Sequence, residues 1–182
     1  MPAAGTHVKS DQRREAVLDA AIACFARRGL YGTTTQEIAD RAGISQPYVA
    51  RLFPGKEALF VEAVRRVSRL LSEALRAHAT RIGSPDTGRD GALRATRAAW
   101  AGIIGDRDVL RFLLQANCAA TEPSVGAAVR ACYASQVALV GELLGGDEQV
   151  VRHWFADGML DTVVAALDLQ ETDEPWARVL RG

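Results

Sequence analysis

Between Thr34 and Phe53 the sequence leaves room for little except two short helices that cross at a steep angle. Thr34-Thr35-Gln36-Glu37 has the T-x-x-E form of a capping box, in which hydroxyl and carboxylate satisfy each other's backbone N–H groups, so a helix begins there. Gly43 stops that helix early and supplies a turn residue tolerant of positive φ. Ser45 can cap the next helix, with Pro47 in its first turn, where a missing N–H does no harm. Pro54-Gly55 ends it. A steep crossing requires a small residue in the first helix, and Ala39 provides it. It also requires apolar residues that lock both helices to one core, and Ile38, Ala42, Ile44, Val49 and Leu52 stand at those offsets. This is the pattern of a helix-turn-helix.

A plain helical hairpin would satisfy the same apolar constraints. The outer face of the second helix argues against it. Gln46, Tyr48 and Arg51 project away from the apolar seam, where a helix lying in the major groove keeps its donors and acceptors. Thr33, Thr34, Gln36, Ser45 and Lys56 lie at or beside helix N-termini, where hydroxyls, N–H groups and an ammonium can hold phosphate. With Pro47, which opens the second helix, these residues form the expected DNA-contacting set.

The rest of the chain reads as helices. Val17, Ala20, Ala21, Cys24 and Phe25 recur at three- and four-residue steps, with Ser10 as a possible cap and Gly29 and Gly32 closing the helix. A long helix is expected over 56–82 on Leu59, Phe60, Ala63, Val67, Leu70, Leu71, Ala74 and Leu75. Residues 83–88 read as a loop. Further helices are expected near 89–104, 106–120, 123–144, 147–169 and 173–181. No run alternates apolar and polar residues between turns, so the fold class is all-α without a sheet.

Bulk properties narrow the function classes. The whole chain has 22 basic and 22 acidic residues, but residues 1–56 hold eight Lys/Arg against five Asp/Glu. A mildly basic N-terminal part on a mildly acidic remainder suits DNA contact at one end. No window approaches the roughly 18 apolar residues of a membrane span. The first ten residues lack a signal-peptide core, so a cytoplasmic location is expected. Cys24, Cys118 and Cys132 are odd in number, lack metal-type spacing, and read as reduced thiols. With three His residues and no Gly-rich phosphate loop, an enzyme has little to build on.

Residues 13–64 resemble the N-terminal domain of the TetR/AcrR family of transcriptional regulators. The resemblance is carried by Arg13-Arg14-Glu15-Ala16-Val17-Leu18-Asp19-Ala20-Ala21, Phe25, Gly29, Thr33-Thr34-Thr35, Ile38-Ala39, Ala42-Gly43-Ile44-Ser45, Phe53 and Lys56-Glu57-Ala58-Leu59-Phe60. It covers nearly a third of the chain and implies an all-helical homodimer, usually a repressor, that binds a palindromic operator and releases it when a small molecule binds. The implied organisation is a helix-turn-helix DNA-binding domain over 10–57 and a helical ligand-binding and dimerisation domain over 58–182. The family usually has Gly at Pro47, a phosphate-contacting Tyr at Ala50, and His or Tyr at Leu52. Ala50 therefore removes one anchor, leaving Tyr48 to take over that contact or to read a thymine methyl. The alternative is a helical ligand-binding or adaptor protein that has lost sequence-specific DNA binding.

Beyond residue 64 the resemblance implies only architecture. Val151, Trp154, Phe155, Gly158, Thr162 and Ala166 share a broad face of a late helix and are the expected dimer seam. Trp100, Ile104, Phe112, Gln115, Asn117, Tyr133 and Gln136 are the expected ligand contacts, in apolar surroundings that suit a hydrophobic or amphipathic molecule. His153, Asp157 and Asp161 recur at four-residue steps, a spacing that more often marks a solvated face than a metal site, so neither metal nor cofactor is expected.

Overall fold

The computed structural model describes residues 4–82 and 106–181, together with Leu93, Thr96, Arg97, Trp100 and Gly102 between them. The helices are α1 (Ala4–Gly32), α2 (Thr35–Ala42), α3 (Gln46–Leu52), α4 (Lys56–Ile82), α5 (Arg107–Cys118), α6 (Pro123–Leu143), α7 (Glu148–Ala166) and α8 (Pro175–Arg181). Two short 3₁₀ turns, Ala119–Thr121 and Leu169–Glu171, follow α5 and α7. Every regular element among the described residues is helical, as expected for the class. The expected helix over 89–104 lies outside the described residues apart from five positions, and Ile104 lies outside them too.

Local chemistry sets the boundaries. Thr34 and Glu37 form the capping box: the Glu37 N–H donates to Thr34 Oγ1 at 3.2 Å, and the Thr34 N–H donates to Glu37 Oε2 at 2.8 Å. That backbone bond, more than any nearby cation, pulls the Glu37 carboxyl below its ordinary pKa. Asp106 and Asp147 cap α5 and α7 with their side chains, so each helix starts one residue later than the periodicity suggested. α7 ends at Ala166 rather than near Leu169, because Asp168 turns left-handed (φ 54°), with its carboxylate held by Arg107 at 2.7 Å and Arg111 at 3.0 Å.

α1 departs from expectation at both ends. It starts well before Ser10, and its backbone leaves helical geometry at Gly29 (φ 66°, ψ −175°) before a last turn to Gly32. A Cβ at Gly29 would stand 2.6 Å from the Gln115 carboxamide oxygen. Gly29 thus permits both the kink and the close approach of α5, the helix against which α1 packs most extensively.

The main core runs across the expected domain boundary. Phe25 of α1, Phe60 of α4 and Phe112 of α5 are fully buried, with ring centroids 4.7 Å (Phe25–Phe60) and 5.1 Å (Phe60–Phe112) apart. The Phe25–Phe60 pair meets edge to face, an arrangement favoured by the ring quadrupoles. Ile38, Ala39, Val49 and Phe53 of the helix-turn-helix join the same core as Val125 and Val129 of α6.

Candidate nucleic-acid interface and ligand cavity

The reading head is assembled from the turn outward. Gly43 caps α2 in the left-handed region (φ 67°, ψ 30°), and the Ile44 N–H donates to the Ala39 carbonyl at 3.1 Å. Val49 is buried and turns α3 so that Gln46, Tyr48 and Arg51 stand on its outward side. Gln46 Nε2 donates to Thr35 Oγ1 at 3.2 Å, which orients the carboxamide across the two helices. Tyr48 lies under two guanidiniums, with Arg51 Cζ 4.5 Å and Arg13 Cζ 5.9 Å from its ring centroid. Hydrogen bonding from Arg13, then from Arg51, draws the phenol below its ordinary pKa.

The remaining expected DNA contacts divide. Thr34 is exposed at the start of α2, and exposed Gln36 donates to Asp40 Oδ1 at 2.6 Å. Ser45 sits at the N-cap of α3 without making a side-chain cap, and Pro47 is exposed in the first turn. Thr33 points inward: it is buried and its hydroxyl donates to the Cys24 carbonyl at 3.2 Å. Lys56 Nζ donates to the carbonyls of Thr33 at 2.9 Å and Tyr31 at 3.3 Å, tying the head of α4 to the α1–α2 link. The sequence pattern assigned no role to Arg14, whose guanidinium lies 4.3 Å from the Phe53 ring centroid and donates to the Leu52 carbonyl and to Glu62. It clamps the end of α3 to α1 and α4.

Behind this head lies a cavity among α4, α5, α6 and α7. It holds about 880 Å³ of atom-free space counting its open mouth, of which about 120 Å³ admits the centre of a water molecule. Of the expected ligand contacts, Trp100, Phe112, Asn117, Tyr133 and Gln136 line it. Gln115 does not, because its carboxamide faces Gly29 on the other side of α5. No charged side chain lines the cavity among the described residues. Gln136 is already engaged with the Ser68 carbonyl and Ser72 Oγ, and Thr162 with the Gly158 carbonyl. Asn117 donates to Tyr133 Oη at 3.1 Å. The buried indole N–H of Trp100 lies beside the Asp161 carboxyl, whose pKa burial raises and this indole lowers.

The stripe expected to form a dimer seam is largely an inner wall. Trp154, Gly158 and Thr162 are buried and line the cavity, with Trp154 meeting Trp100 edge to face at 5.6 Å. Val151 is buried too, while Phe155 and Ala166 are half-buried. The reason is packing within the chain: Trp100 lies directly over Gly158, so this face of α7 is covered without a second copy. The apolar side chains left exposed on α6 and α7 and just beyond include Val137, Met159, Leu160 and Leu167. Asp157, on the same helix, is ion-paired with Arg97.

Comparison with known proteins agrees with this geometry. A profile described as "Bacterial regulatory proteins, tetR family" matches residues 17–63. The HTH-type transcriptional activator FasR of Mycolicibacterium smegmatis is 31% identical over 150 residues, covering 82% of this chain and 66% of FasR. The HTH-type transcriptional repressor KstR2 of Rhodococcus jostii is 44% identical over 64 residues, covering 35% of this chain and 31% of its own. The chain thus spans less than two thirds of the length of these relatives. In three dimensions it is similar to the transcriptional regulator FadR of Bacillus subtilis in complex with stearoyl-CoA, with a TM-score of 0.69, 14% identity, and coverage of 92% of this chain and 93% of that one.

Proposed function

Because the chain belongs to the TetR family of bacterial regulatory proteins, which are DNA-binding regulators and not enzymes, we propose that it binds a palindromic operator as a homodimer and leaves it when a long apolar molecule fills the cavity. The observation that carries this reading is the double position of Phe112. It lines the cavity and packs, with tilted rings, against Phe25 and Phe60 in the core beneath the helix-turn-helix. A guest that shifts this ring acts on α1 and α4 at once. Gln115 adds a second contact between the same helix and the Gly29 kink. Repression follows wherever the operator overlaps a promoter.

The ligand reading is supported by the lining. Apolar walls without charge among the described residues suit a slender hydrocarbon chain. FadR of Bacillus subtilis was solved with stearoyl-CoA, whose acyl chain is of that kind although its coenzyme A headgroup is large and anionic. The dimer reading is supported by the apolar edge formed by Val137 and Met159 beside Phe155 and Ala156, in place of the buried Trp154 stripe. Two copies joined there would present two α3 helices to DNA. Successive major grooves require their spacing to be near one helical turn, roughly 34–36 Å.

Gln46 tests the reading head. Duplexes selected from a random pool by the wild-type protein are expected to share a palindrome. Gln46→Ala is expected to cost about 1–3 kcal/mol on that selected site while leaving binding to random duplex nearly unchanged. Equal losses on both duplexes would remove Gln46 from base reading.

A further inference from the structure

We propose that Arg13, reaching from α1 over the recognition helix, forms with Tyr48 and Arg51 a clamp for one DNA backbone phosphate. The proposal rests on the DNA-binding reading above and adds to it a contact from outside the helix-turn-helix.

Several cations of this unit are held within the fold, whereas Arg13, Arg27, Arg41 and Arg51 are exposed. Arg14 is held by the Leu52 carbonyl and Glu62, Arg28 pairs with Glu37, and Lys56 is held by two carbonyls. Those side chains serve the fold. Arg13 and Arg51 make no ion pair among the described residues; they converge on one phenol ring, at 5.9 and 4.5 Å from its centroid. Two exposed like charges are thus held near one electron-rich ring. An anion between them relieves their repulsion, and guanidiniums match phosphate oxygens with paired N–H donors.

The position of Arg13 favours a phosphate over a base edge. It stands on α1, not on the helix whose outer face carries Gln46 and Arg51. Its stem starts from a fixed point, because the next residue, Arg14, is locked over the Phe53 ring. The Tyr48 phenol already senses the positive field at this spot, since its pKa is lowered first by Arg13 and then by Arg51. The Tyr48 hydroxyl is a third donor to the same oxygen.

The test uses the full-length protein, a duplex selected by it, and a random duplex of equal length. Arg13→Ala should weaken binding to both duplexes by the same factor. The slope of log K against log salt should fall by about 0.9 for each phosphate that the variant no longer neutralises. Neutral methylphosphonates placed one at a time along the selected duplex should reveal a position per half-site that weakens the wild type more than it weakens Arg13→Ala. A merely structural role would leave sensitivity at every single phosphate intact. An unchanged salt slope, weakening confined to the selected sequence, or Arg13→Ala remaining as sensitive as wild type at every position would overturn the clamp. If the wild type bound neither duplex, the DNA-binding reading would fail first, and the clamp with it.

Discussion

Replacing Phe112 by alanine is expected to destabilise the fold by about 3–5 kcal/mol, the range for a fully buried aromatic ring removed from a core. Phe112 is fully buried and touches rings from two other helices, so its removal leaves Phe25 and Phe60 facing a void continuous with the existing cavity. Partial collapse of α5 toward α1 is blocked by Gln115, already tight against Gly29. The cost should therefore sit near the upper end. Urea denaturation monitored by helical signal checks this, with a lowered midpoint at unchanged slope. A destabilisation below about 1 kcal/mol would mean that the ring cluster does not join the two halves of the molecule.

At Gly43 the expected effect is on DNA binding more than on stability. Its φ of 67° lies in the left-handed region, which costs a side-chain-bearing residue roughly 1–2 kcal/mol. A Cβ there would meet nothing within 4 Å, so the penalty comes from the backbone and not from a clash. Gly43→Val should relieve that strain by reopening the turn, changing the α2–α3 crossing and abolishing preference for the selected duplex. Gly43→Asn, whose side chain tolerates the left-handed region, should keep most of it. Parallel binding curves for the two variants decide between these outcomes; equal behaviour would mean that the turn does not set the geometry of the head.

Much of this was legible in the residues themselves. The capping box at Thr34 and Glu37, the turn at Gly43 and the limits of α4 follow from local chemistry and three- to four-residue spacing, which act whatever surrounds them. Phe112, Tyr133 and Gln136 could be placed around one interior cavity because their helices had to face it. The face of α7 could not be assigned that way. A stripe containing Trp154 and Gly158 has the same pattern whether a symmetry mate or Trp100 of the same chain covers it, and periodicity does not say which. Gln115 is a related case: its polar end suggests a ligand contact, but it lies against a glycine kink that no linear pattern announces. Arg13 was equally hidden, since only the tertiary fold brings its guanidinium near Tyr48.

Cavity and DNA are expected to compete through Phe112 and its neighbours. Calorimetric titration of stearoyl-CoA into the free protein, and then into its complex with the selected duplex, tests this most directly. Linkage requires the duplex to weaken ligand binding by the same factor by which the ligand weakens duplex binding, about 5–150-fold for a coupling of 1–3 kcal/mol. Competition predicts tight binding to the free protein and a weakening of that size in the complex. Equal affinities in the two titrations, or no binding in either, would contradict it.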